Sequence, residues 1–180
     1  PMVTLEFPAG SAVFPEGYKA THISYNNGVT SRSINVAAGM FGGVATGATD
    51  FDPATLYTSE DNVLAYCIDI MNNLMRTGSY NVQSIGQTQV DISTGGVRRD
   101  FGRTLSFLGA VNEVASGTLL TADKEKNWLN PNSSWMSAAI QVGIWESLYE
   151  ASGTALSTAG GWFSATTLGS EGNQFLDQAF

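Results

Sequence analysis

The sequence predicts an α+β domain: antiparallel strands, largely N-terminal, with a helical insertion between Met71 and Gly153. Three observations carry this. Short strand-like segments crowd the chain as far as Ile70, and the turn signal Asn26-Asn27-Gly28 joins two of them. Two stretches with apolar residues at helical spacing, Asp100–Val114 and the run through Ser137–Glu146, lie inside the insertion. The 180 residues suffice for one domain with a sizeable core, and the chain is read as one, 1–180. Apolar residues at 43%, with four Trp, nine Phe and six Tyr, argue for a packed interior and against disorder.

The first strands are expected at Val3–Phe7, Ala20–Tyr25, Arg32–Val36 and Gly39–Val44. Asn and Gly tolerate positive φ, so Asn26-Asn27-Gly28 predicts antiparallel pairing of the second and third. A further strand is expected over Val63–Ile70, with Leu64, Tyr66, Ile68 and Ile70 on one face and Val63, Ala65, Cys67 and Asp69 on the other. Met71–Gly78 reads as short helix or irregular chain, and Tyr80–Ile92 alternates weakly until Gly95-Gly96 breaks it. Over Asp100–Val114, Phe101, Leu105, Leu108 and Val111 or Asn112 recur at helical spacing, with Gly117 placed to end the helix. Asn132, Ser133 or Ser134 can cap the next helix by accepting its free N–H groups, and Gly153 is its expected stop. A last strand or turn is expected at Gly160–Ser164 and a terminal helix at Phe175–Phe180.

Eight Lys and Arg against sixteen Asp and Glu give a net charge of −8, which disfavours nucleic acid and anionic lipid and favours cationic partners. No stretch reaches the ~20 apolar residues a membrane-spanning helix needs, so no membrane insertion is expected of this segment. The start at Pro1-Met2 reads as a cloning scar and the apolar end at Phe180 as that of an excerpt from a longer protein. The acidic clusters Asp50-Phe51-Asp52-Pro53 and Ser59-Glu60-Asp61-Asn62 match no calcium loop and read as solvated turns. One Cys and one His cannot assemble a structural zinc site, so neither a metal nor another cofactor is expected.

Chemistry is concentrated in two windows. In the helix through Ser137–Glu146, Ala138, Ile140, Val142, Ile144, Trp145 and Leu148 span a wide apolar arc, with Glu146 and Glu150 on the remaining side. Gln141 falls inside that arc. A carboxamide left buried and unpaired costs about 1–3 kcal/mol, so it requires partners, either a neighbouring backbone or something more reactive. Cys67, the chain's only cysteine, excludes an internal disulfide and reads either as a small packed hydrophobe or as a reactive thiol. His22, the only histidine, lies in an expected strand as a surface or half-buried side chain, or else as a proton shuttle.

Together, Tyr66-Cys67-Ile68 and Ile140-Gln141-Val142-Gly143-Ile144-Trp145 resemble the paired motifs of bacterial thioester domains, found in surface adhesins of Gram-positive bacteria. In that family the first motif is an aromatic residue or leucine, cysteine and an apolar residue. The second is an apolar residue, glutamine, two variable residues, an apolar residue, then Trp or Tyr. The surrounding residues, Tyr66 to Ile70 and Ala138 to Glu146, also resemble domains of exported Gram-negative proteins that end in a sorting tail. The resemblance implies a thioester-domain fold, an antiparallel sandwich or barrel-like sheet carrying the helical insertion, in a protein secreted or displayed on the bacterial surface.

It also implies an internal Cys67–Gln141 thioester, which a lysine side chain or polyamine on a host or environmental surface attacks to give a covalent, isopeptide-type amide. This is single-use attachment, not enzymatic turnover. Tyr66 and Trp145 are then candidate screens against water or simply core, beside Ile140 and Ile144, and Asp69 and His22 are candidate acceptors of the thiol proton. Two other classes stay open: a non-covalent binding or surface-structural module with a buried cysteine, and a cysteine hydrolase or acyltransferase with His22 as base.

Overall fold

The structure, a computed structural model, describes residues 2–49, 63–81, 91–94, 97–115 and 124–180. In chain order the elements are β1 (Met2–Glu6), β2 (Lys19–Asn26), β3 (Ser31–Ala38), β4 (Phe41–Thr49), β5 (Val63–Ala65) and β6 (Thr77–Asn81). There follow β7 (Asp91–Thr94), β8 (Val97–Asp100), α1 (Phe101–Ala115), α2 (Ser134–Tyr149), β9 (Phe163–Thr166) and α3 (Gly169–Ala179). One antiparallel sheet runs β5-β4-β1-β6, a second runs β3-β2-β9, and β7 and β8 form a two-stranded ribbon. The fold class is α+β, and the described strands form separate sheets rather than a closed barrel.

The expected hairpin is present. Asn26 Oδ1 accepts from Gly28 N at 2.8 Å, Asn27 Oδ1 accepts from Val29 N and Thr30 N, and Gly28 takes φ +86°. That turn fixes a register in which His22 faces Asn35 and Ile23 faces Ile34. Period-two alternation then sends Ile23 and Tyr25 into the core and His22 to the other face.

The main core lies between the β3-β2-β9 sheet and the three helices, with α2 packed against all three strands and against α1 and α3. The β5-β4-β1-β6 sheet carries two small clusters of its own, Val3, Ala45 and Val63 in one and Phe7, Val13 and Phe41 in the other. Ser133 caps α2, its Oγ accepting from Met136 N. Every residue from Met136 to Tyr149 is buried, so α2 is a central helix covered on all sides. Gly143 permits one of these contacts: a Cβ there would lie 2.0 Å from Phe107 Cζ, so the α1 ring occupies the space the glycine leaves.

Several expectations are corrected. The insertion is not wholly helical, because β6 and the β7–β8 ribbon precede α1, while α3 lies beyond it. On α1 the buried stripe runs through Thr104 and Phe107, leaving Leu105 exposed. Glu146 and Glu150 are not on an open side of α2. Glu146 accepts from Ser157 N at 2.7 Å, and Glu150 accepts from the N–H groups of Ala151, Trp162 and Phe163. The two carboxylates hold the returning loop, and α2 ends at Tyr149, ahead of Gly153. α3 begins at Gly169, well before Phe175. Gly117 and both acidic clusters lie outside the described residues.

Candidate functional site around Cys67 and Gln141

The Cys67 strand is shorter than alternation predicts. β5 pairs with β4 only over Val63–Ala65, and the chain then leaves the sheet. Leu64 is 43% and Ile68 39% exposed, so the expected apolar face is not a face at all. The cause is a change of partner for the backbone. Cys67 N–H donates to Gln141 Oε1 at 2.8 Å, and Gln141 Nε2 donates back to Cys67 C=O at 2.8 Å. One carboxamide thus replaces a neighbouring strand, satisfying both backbone groups of the cysteine and both ends of the buried amide.

The pattern extends along α2. Met40 N, just before β4, donates to Ser137 Oγ at 2.8 Å. Tyr149 Oη donates to Ile68 C=O and accepts from Ile70 N, each at 3.3 Å. Ser137, Gln141, Trp145 and Tyr149 recur every fourth residue, which puts them on adjacent turns of one side of the helix. Three of them bind the irregular backbone around the site, and the fourth lies against the thiol. Ser137 and Tyr149 escape motif reading; their signal is the spacing from Gln141.

The Cys67 thiol donates to the Asp69 backbone carbonyl at 3.2 Å. Burial pushes the thiol pKa up. The Asp69 carbonyl offsets part of this, the nearby Asp69 carboxylate adds to it, and the Trp145 indole draws it down, leaving a net rise. Trp145 is 4% exposed, and its indole N–H, which makes no hydrogen bond of full geometry among the described residues, lies close enough to the thiol to lower its pKa. The Asp69 carboxylate is held by its own turn, accepting from Met71 N at 2.7 Å and Asn72 Nδ2 at 2.6 Å. It is not directed at the thiol.

Of the other candidates, Tyr66 packs its ring on Trp128 and donates its hydroxyl to Trp128 C=O at 3.0 Å, and burial holds its phenol above the ordinary value. Ile140 and Ile144 are core residues of α2. His22 is elsewhere: its Nδ1 meets Asn35 Oδ1 at 2.9 Å and its Nε2 meets Ser33 Oγ at 3.0 Å, on the sheet face away from the core.

Cys67 borders two clefts. One, of about 610 Å³, is walled mainly by apolar side chains from β1, β4 and the segment after Cys67. The other, of about 320 Å³, runs beneath Arg32 and Trp145. Comparison with family models, with curated proteins and with solved structures finds no match to this chain.

Proposed function

We propose that Cys67 and Gln141 form an internal thioester through which the protein attaches covalently to amines, as in the bacterial surface adhesins its two motifs resemble. The single observation that carries the reading is the reciprocal pair of hydrogen bonds between the Cys67 backbone and the Gln141 carboxamide. Sequence neighbours do not impose that pairing, and it fastens an otherwise poor electrophile to the backbone of the residue that carries the one thiol of the chain.

The chemistry follows from the same contacts. Sγ adds to Gln141 Cδ, and charge develops on Oε1, where Cys67 N–H stands at 2.8 Å, within the range of an oxyanion donor. Nε2 leaves as ammonia, taking the thiol proton, and the C–S bond remains. An incoming primary amine attacks the same carbon. The C–S bond breaks, Sγ regains a proton, and Gln141 is left as a substituted amide. The unpartnered Trp145 indole N–H is the group available to the sulfur as negative charge passes through it.

The partner is then a lysine-bearing protein or another amine, the setting a bacterial surface or its surroundings, and the event single-use. The cysteine-hydrolase reading draws least support, because His22 is engaged on another sheet face and the thiol pKa is raised rather than lowered.

The test is the intact mass of fresh protein, denatured without reductant, with and without methylamine. The expected mass is one ammonia below that of the sequence, and methylamine raises it by one whole molecule, to one methylene above that of the sequence, while freeing one thiol. A full mass with the thiol already free overturns the proposal and favours a non-covalent binding module.

A further inference from the structure

Resting on the thioester reading, we infer that the larger cleft beside Cys67 selects the amine, taking a primary amine on an unbranched aliphatic stem rather than a polyamine. The cleft, of about 610 Å³, has the size of a small-molecule site. Leu5, Phe7, Phe41, Leu74, Met75 and Tyr80 contribute large apolar side chains to its wall, with Cys67 among the lining residues. Leu74 and Met75, 38% and 57% exposed, stand at its rim.

Charge excludes the polyamine. Among the described residues Asp69 is the only carboxylate lining the cleft, and both of its oxygens already accept hydrogen bonds, from Met71 N and Asn72 Nδ2. The further ammonium groups of a polyamine carried into this space lose their water and share a single carboxylate that its own turn already engages. The net charge of −8 gathers polycations near the molecule, but attraction to the whole surface does not compensate for desolvation inside one cleft.

An aliphatic stem gains what the polyamine loses. Each methylene moved from water onto apolar walls favours binding about three- to fourfold. The same walls disfavour the ammonium form of the amine that reacts, which raises the fraction present as the neutral nucleophile. A lysine side chain offers this chemistry as well as a free alkylamine does.

The experiment measures second-order rates of adduct formation by intact mass for methylamine, n-pentylamine, spermidine and Nα-acetyl-lysine amide. Salt is set at about 1 M, where the screening length is ~3 Å and long-range attraction is removed. The expected result is pentylamine at least about tenfold faster than methylamine, and spermidine no faster than methylamine. In the double variant Leu74→Asp, Met75→Glu, whose sites are exposed, the pentylamine-to-methylamine ratio should fall toward one. A lysine amide that keeps pace with pentylamine supports the cleft with lysine as the source, and one that lags behind it supports the cleft with a free alkylamine. Equal rates for all amines, or spermidine fastest, overturn the selectivity and leave the thioester standing. A protein of full mass that no amine modifies overturns both.

Discussion

At the scale of single residues, Gln141 has two roles that can be separated. As a structural group it satisfies both backbone atoms of Cys67, and as a chemical group, in the function proposed above, it offers a carbon to the thiol. The structural role stands without any bond. In a Cys67→Ala background, where no cross-link can form, Gln141→Ala leaves a backbone N–H and C=O unpaired, and we expect a loss of about 3 kcal/mol in urea unfolding. A loss below about 1 kcal/mol would show that water replaces the carboxamide. The sequence reading offered two accounts of Gln141, a glutamine bonded to backbone and a glutamine meeting Cys67; the backbone that satisfies it belongs to Cys67 itself. What alternation could not reveal is that a side chain, not a strand, takes over after Ala65. Period-two patterns register which way side chains point and carry nothing about who partners the main chain.

At the scale of elements, α2 was legible as a helix with Ser133 among three candidate N-caps, but not as one buried on every side. Its two carboxylates looked like a solvent face because charged residues usually are one. Here they are consumed by the N–H groups of the loop that folds back over them. Burial pushes the Glu146 carboxyl up to about 8; the Ser157 N–H and Arg103 oppose the rise, and the charge of Glu150 adds to it. An acid whose pKa rises on folding keeps its proton longer in the native state than in the unfolded chain. Between an unfolded value of 4.5 and about 8 the native state therefore binds more protons, and this contribution to stability falls as pH rises through that window. The slope is at most ~1.4 kcal/mol per pH unit. Urea unfolding at about pH 5 and about pH 8 should show the wild type weaker at the higher pH and Glu146→Gln with a flatter profile. An unchanged slope in the variant would assign the effect to another group.

At the scale of the whole molecule, Cys67 lies on a seam. It packs both against the main core and against the Phe7, Val13 and Phe41 cluster of the other sheet, and its partner Gln141 is 74 residues away. A covalent bond there closes a long loop across two bodies of packing. By the chain-entropy estimate used for disulfides, closing such a loop stabilises by about 4–5 kcal/mol. The closed protein should therefore melt at a clearly higher temperature than the methylamine-treated one, and coincident melting would argue that the seam is held by packing alone. The α+β class and the early hairpin were legible because they rest on local turn chemistry and periodicity. The division into two sheets with separate clusters was not, since it depends on which strands meet at long range.

On the proposed thioester reading the reacting carbon belongs to Gln141, so cargo is tethered to α2 and not to the irregular segment after β5 that bears the thiol. Tension on that tether enters the most enclosed helix of the protein, where α1, α3 and the strands of the β3-β2-β9 sheet resist it together. The β5-β4-β1-β6 sheet, joined to α2 after the proposed C–S bond opens only through contacts such as that of Met40 N with Ser137 Oγ, stands outside that path. Capture therefore leaves the load-bearing path intact and spends only the fastening between its neighbours.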